Sequence, residues 1–123
     1  EQEIKKGIPT NKIFIGGYSQ GGAMALVSGL KYDRDNLGGI IVMSGWIFKN
    51  HDLSNKKLNK NIPIYIAHGM KDNVVLFENA ISIKNTLHKN KFNNITFKSY
   101  ENLKHGKSKD EINDLIKWLS KMI

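Results

Sequence analysis

Residues 12–27 read KIFIGGYSQGGAMALV, and the rest of the chain can be organised around them. The stretch opens on Ile13-Phe14-Ile15, a β-branched and aromatic run that predicts a buried strand. It closes on Ala23-Met24-Ala25-Leu26-Val27, whose small and unbranched residues favour a helix. Between them, Gly17-Tyr18-Ser19-Gln20-Gly21 fits G-x-S-x-G in a strand–turn–helix setting, the pattern of a nucleophile elbow. A serine at the apex of so tight a turn is held in strained backbone geometry. Side chains in place of Gly17 and Gly21 are expected to collide with the strand or the helix. The turn lifts the hydroxyl clear of the sheet, and the helix N-terminus offers unpaired N–H groups to a developing negative charge. The bland alternative is a glycine-rich βα turn in which Ser19 only caps the helix. Capping does not need the flanking glycines, so the catalytic reading leads.

Composition narrows the field. At 123 residues the chain predicts one domain at most, spanning 1–123, and 40% hydrophobic content is ordinary for a soluble protein. No apolar run approaches a membrane span. Glu1–Lys6 is charged and carries no leader pattern. With no cysteine, disulfides, thiolate metal sites and cysteine nucleophiles are excluded. His51, His68, His88 and His105 show no paired metal-ligand spacing, so neither metal nor cofactor is expected. The formal charge of +8 invites a nucleic-acid reading. Its carriers are scattered lysines and a single arginine, Arg34, among many asparagines. Arginine forks that read phosphates and bases are missing, so a solvated basic surface is expected and no nucleic-acid partner.

The remaining segments read in order as follows. Glu1–Lys6 predicts the tail of a helix, with Gly7 at its C′ position and Pro9 ending it. Lys31–Asn36 is a polar turn. Leu37–Ser44 is a second buried strand that runs into Gly45-Trp46, and Phe48–Asn61 a polar loop. Ile62–Ala67 is a third strand, with Pro63 near its start. Phe77–Lys89 predicts a helix with a stripe of Phe77, Ala80, Ile81, Ile83 and Leu87. Ile95–Tyr100 alternates as an edge strand with one wet face. Ser108-Lys109-Asp110-Glu111 forms a capping box. It opens a helix with Ile112, Leu115, Ile116, Leu119, Met122 and Ile123 on one side. The order βαββαβα predicts an α/β layer protein with a mainly parallel sheet and flanking helices.

Reactive side chains collect at the carboxyl ends of parallel strands. A serine hydroxyl needs a base to take its proton, and the base needs an acid to fix its tautomer. Asp72 follows the third strand and His105 the fourth, which gives the chain order Ser19, Asp72, His105 used by α/β-hydrolases. Each has a plainer reading. Asp72 could be a turn residue, and His105 a surface histidine near a helix start. Asp33, Asp35 and Asp52 are worse placed. His68 could be proposed as the base, but it precedes Asp72 and adjoins Gly69, which favours a backbone-shaping role. His51 and His88 lie in polar surroundings and are expected to be solvated. Trp46 is either core or the wall of an acyl site, since both need a large apolar group.

Taken together, Gly7-Ile8-Pro9, Gly16–Ala23, Ser44-Gly45-Trp46, Ile66-Ala67-His68-Gly69 and Phe97–Glu101 resemble the acyl-protein thioesterase and carboxylesterase family, also called lysophospholipase-like, within the α/β-hydrolases. The resemblance implies Ser19 as nucleophile, Asp72 as orienting acid, His105 as base and the Gln20 backbone N–H as one oxyanion donor. It also implies an acyl ester or thioester substrate and a cytoplasmic setting, and leaves room for peripheral membrane contact. The sequence differs from the family's pattern at Phe48, Met70, Asn73, Asn102 and Gly106. Whole members of the family are nearly twice this length. Residues 1–123 therefore resemble a partial domain of about four strands and three to four helices, its C-terminal half. The first strands and the loop supplying the second oxyanion N–H are expected to be missing. Two expectations follow: weak or no turnover by this chain, and self-association through the open edge at Lys12–Gly16. The competing reading is a non-catalytic fragment or interaction module that keeps the motif without the activity.

Overall fold

A computed structural model describes residues 12–31, 37–48, 53 and 58–122. The expected helix tail with Gly7 and Pro9, most of the polar turn at 32–36, Asp33, Asp35, His51, Asp52 and Ile123 lie outside the described residues. Among the described residues, four strands form one sheet: β1 (Phe14–Tyr18), β2 (Gly39–Met43), β3 (Ile64–Gly69) and β4 (Ile95–Tyr100). They lie in the order β1-β2-β3-β4, and every neighbouring pair is parallel. Three described helices accompany them: α1 (Gln20–Lys31), α2 (Glu78–Lys89) and α3 (Lys109–Met122).

The apolar runs explain the layers. β2 and β3 are buried along their whole length, as expected of central parallel strands covered on both faces. Ile40, Val42, Ile64 and Ile66 point to one side and pack with Leu26 and Leu30 of α1 and Ala80, Ile83 and Leu87 of α2. Ile41, Met43, Tyr65 and Ala67 point to the other and meet Trp118, Leu115, Leu119 and Met122 of α3. A strand order that never reverses, with connections of one hand, carries α1 and α2 to the same face.

The helical stripes differ from their expected faces. In α2, Ile81 is exposed while Ile83 is fully buried. In α3, Ile112 and Ile116 are 41% and 54% exposed, and Trp118 is buried instead. The α3 face therefore centres on Leu115, Trp118, Leu119 and Met122, because the indole fills the space beside Tyr65 and Phe14. In the segment expected to be a polar loop, Leu53 is core. β1 reaches beyond Ile15 to Tyr18, and it is partly exposed where the sequence predicts full burial, since it ends the sheet. β4 does behave as an edge strand: Ile95 and Phe97 pack on the α1/α2 side, and Tyr100 on the other.

Candidate active site

Ser19 sits between the last residue of β1 and the first of α1, with φ 58°. Its backbone N–H donates to Met43 O at 2.8 Å, which ties the turn to the end of β2. A left-handed non-glycine residue in a turn this tight is the strained geometry expected of an elbow. Gly17 is what permits it. A Cβ there would lie 2.2 Å from the Gly21 carbonyl carbon and oxygen, so strand and helix could not close this sharply. The expectation for Gly21 is corrected: a Cβ at that position meets nothing within 4 Å. The crowded helix glycine is Gly22, whose Cβ would stand 3.0 Å from Gly17 O and 3.3 Å from Met43 O.

The turns after β3 and β4 are clamped together. Met70 N–H donates to Tyr100 O at 2.8 Å and Lys71 N–H to Leu103 O at 3.0 Å. A Cβ on Gly69 would come within 2.1 Å of Leu103 O, so only glycine allows this approach. The clamp brings Asp72 to His105. Asp72 Oδ2 lies 2.7 Å from His105 Nδ1, and His105 Nε2 lies 3.1 Å from Ser19 Oγ. Asp72 Oδ1 accepts from Val74 N–H at 2.9 Å and Val75 N–H at 2.8 Å. Burial pushes the Asp72 carboxyl up, but the bonds from His105 and from Val75 and Val74 outweigh it and hold the carboxyl below its ordinary value. An ionised Asp72 accepts a proton-bearing Nδ1, which leaves Nε2 with its lone pair toward the serine hydroxyl.

The other expected positions are as follows. Gln20 opens α1, and the first described helical bond runs from Ala23 N–H to Ser19 O at 3.1 Å. The N–H groups of its first turn thus have no carbonyl one turn back to bond. Trp46 is half-buried just past β2, edge-on to Phe48 at 6.5 Å between centroids. His88 is exposed, as expected. Met70 and Asn73 are exposed, and Gly106 has open space around it, so these departures leave the clamp intact. Among the described residues, no group of three or more metal-ligating side chains converges. No described helix is long and apolar enough to cross a membrane.

His68 does more than the sequence suggested. Buried at the end of β3, its Nε2 lies 2.7 Å from Val75 O and 3.2 Å from Asp72 Oδ2. A carbonyl only accepts, so Nε2 carries the proton and stitches the turn that presents Asp72. The signal in the sequence was a strand-end histidine four residues before the acid, but its direction depends on how residues 72–75 fold back.

The phospholipase/carboxylesterase family model matches residues 1–123. Acyl-protein thioesterase 1 of Yarrowia lipolytica is 36% identical over 126 residues, covering 100% of this chain and 55% of the relative. Its counterpart in Aspergillus fumigatus is 34% identical over 127 residues, covering 100% of this chain and 52% of the relative. The crystal structure of Arabidopsis thaliana SOBER1 superposes with a TM-score of 0.86 at 34% identity, covering 98% of this chain and 58% of that one. The Bacillus cereus carboxylesterase, at 21% identity and a TM-score of 0.80 over 99% of this chain and 55% of that one, shares the fold. The chain spans about half the length of the curated relatives it matches. The expected mainly parallel sheet of a partial α/β-hydrolase domain is borne out by these structural neighbours.

Proposed function

Because this chain belongs to the phospholipase/carboxylesterase family, we propose that it carries the triad of a serine hydrolase that cleaves acyl esters or thioesters. The observation that carries the reading is the relay from Ser19 Oγ through His105 to Asp72, with steps of 3.1 and 2.7 Å. Ser19 Oγ attacks the carbonyl carbon while His105 Nε2 takes its proton, and Asp72 stabilises the imidazolium. The oxyanion is met by the Gln20 N–H. His105 then gives the proton to the departing alkoxide or thiolate, leaving an acyl ester on Ser19. Water, deprotonated by His105, attacks that ester; the acid leaves and the proton returns to Ser19. Trp46 supplies an apolar wall for the acyl group.

Residues 1–123 form a single partial domain in this reading, and the resemblance puts the second oxyanion donor in the part of the relatives that they do not match. One missing donor slows such chemistry by about a hundredfold or more, so turnover by residues 1–123 alone is expected to be weak. The cytoplasmic setting and peripheral membrane contact implied by the resemblance belong to the same reading. So does self-association at the outer edge of β1, which sedimentation at micromolar protein checks. A fluorophosphonate probe tests the chemistry: it should label the wild-type chain at Ser19 and leave Ser19→Ala unlabelled. The competing reading, a non-catalytic fragment, draws on the half-length match to the relatives. It is favoured if neither protein labels.

A further inference from the structure

Tyr18 is the last residue of β1 and the immediate neighbour of Ser19. Its ring centroid lies 5.1 Å from that of the His105 imidazole, with the planes inclined by 35°. Lys107 Nζ stands 5.1 Å from the centroid of the same tyrosine ring. We propose that Tyr18 is a positioning residue for the general base: its ring packs against the His105 imidazole, and Lys107 packs on the tyrosine. This rests on the hydrolase reading above and assigns a new role within the same site.

His105 lies on the segment between β4 and α3, where Gly106 N–H donates to Lys104 O at 2.9 Å and spans it. Its two hydrogen bonds attach at Nδ1 and Nε2. Both act in the plane of the ring, so resistance to a tilt comes from the Cβ–Cγ bond and from what packs on the ring's sides. A tilt turns the Nε2 lone pair away from the serine proton. A rigid ring packed against the imidazole restricts that tilt, and a tilted ring pair at this separation is a favourable contact.

Tyr18 suits the task because it is itself held. Its backbone pairs with Met43 across β1 and β2, and its side chain packs on the α3 side of the sheet. The charged groups near it are Lys107, Asp72 on the turn after β3 and Glu111 on α3. Burial, then Asp72 and Glu111, push the Tyr18 hydroxyl up, so the ring stays neutral beside the base. One turn thus places both the nucleophile and the surface that aligns its base.

The test compares Tyr18→Phe, Tyr18→Leu and Lys107→Met by the kinetics of Ser19 labelling with a fluorophosphonate, and by NMR of the His105 ring protons. Tyr18→Phe should react at saturation within about twofold of wild type. Tyr18→Leu should be slower by at least about tenfold at unchanged half-saturation, as expected for lost alignment rather than lost binding. Lys107→Met should lose less than Tyr18→Leu. The ring-current displacement of the His105 protons should persist in Tyr18→Phe and vanish in Tyr18→Leu. A Tyr18→Leu rate equal to wild type overturns the proposal, as does an equal loss in Tyr18→Phe, which moves the role to the hydroxyl. A loss confined to half-saturation also overturns it, by making the ring part of the substrate wall. Should Tyr18→Leu not fold, the wild-type cross-relaxation between the two rings decides: its presence supports the contact and its absence overturns it. If wild type does not label at all, the hydrolase reading fails, while the ring-proton comparison still decides the contact.

Discussion

His68 Nε2 lies 3.2 Å from Asp72 Oδ2, the same oxygen that His105 Nδ1 engages at 2.7 Å. Two imidazoles therefore converge on one carboxylate oxygen, while Oδ1 is held by two backbone N–H groups. Asp72 has no freedom to follow His105 away from Ser19. Replacing His68 by Phe strands the Val75 carbonyl without its donor and loosens the turn. A loss of about 1–3 kcal/mol in stability is expected, with kcat falling more than KM. Chemical denaturation and steady-state hydrolysis of a p-nitrophenyl ester measure the two effects.

Asp72→Asn should leave the turn largely in place, because its side-chain carbonyl can still accept from Val74 and Val75 N–H. The amide NH2 would then face His105 and favour the wrong tautomer, with the proton on Nε2. Loss of tautomer control in such a triad lowers turnover about 10⁴-fold. Far-UV circular dichroism should be unchanged while fluorophosphonate labelling collapses. A labelling rate within tenfold of wild type would remove Asp72 from the relay.

Asp72 and Glu111 respond to acid with opposite sign. The Asp72 carboxyl lies below its ordinary 3.8, so its stabilisation is complete above that value and is lost as pH falls through the lower folded-state value. Glu111 is fully buried, and neither of its oxygens has a hydrogen-bond partner among the described residues. The capping box thus forms by one half only, Glu111 N–H to Ser108 Oγ at 3.0 Å. Burial pushes the Glu111 carboxyl above its ordinary 4.5, and proximity to the Ser108 backbone and the Lys107 charge draws it only part of the way back. Its ionised form therefore weakens the fold at neutral pH, and the penalty fades as pH falls through the raised value. Glu111→Gln should melt higher than wild type at pH 7, with the difference shrinking towards pH 4. Thermal scans across that range check it, and a lower melting temperature at pH 7 would contradict the sign.

The two glycines of the motif should behave differently. Gly17→Ala drives a methyl into the Gly21 carbonyl, so the elbow must open; destabilisation by about 3 kcal/mol or more and loss of labelling are expected. Gly21→Ala meets open space on a helix and should stabilise by about 0.5–1 kcal/mol through helix propensity. Melting temperatures of the two variants separate the cases.

The order of strands and helices, the parallel sheet and the three strand-end residues were legible in the sequence, because each rests on local chemistry. Ile13-Phe14-Ile15 and Ile62–Ala67 are apolar runs of strand length, Ser19 sits in a turn that Gly17 permits, and Asp72 and His105 follow strands whose ends a parallel sheet gathers. The tertiary structure alone decided which sides of those pieces touch. Ile112 and Ile116 fit the helical stripe of α3, yet Trp118 takes the core because Tyr65 and Phe14 leave a space of its shape. Gly21 matched the motif, but the strand meets the helix at Gly22. His68 and Tyr18 gained their contacts from segments far along the chain: the former from the fold-back of residues 72–75, the latter from a loop beyond β4. Local sequence sets backbone preference and burial pattern through short-range sterics and hydrophobicity. The direction in which a side chain meets a distant partner is set only when Gly69 closes on Leu103 and the two turns are drawn together.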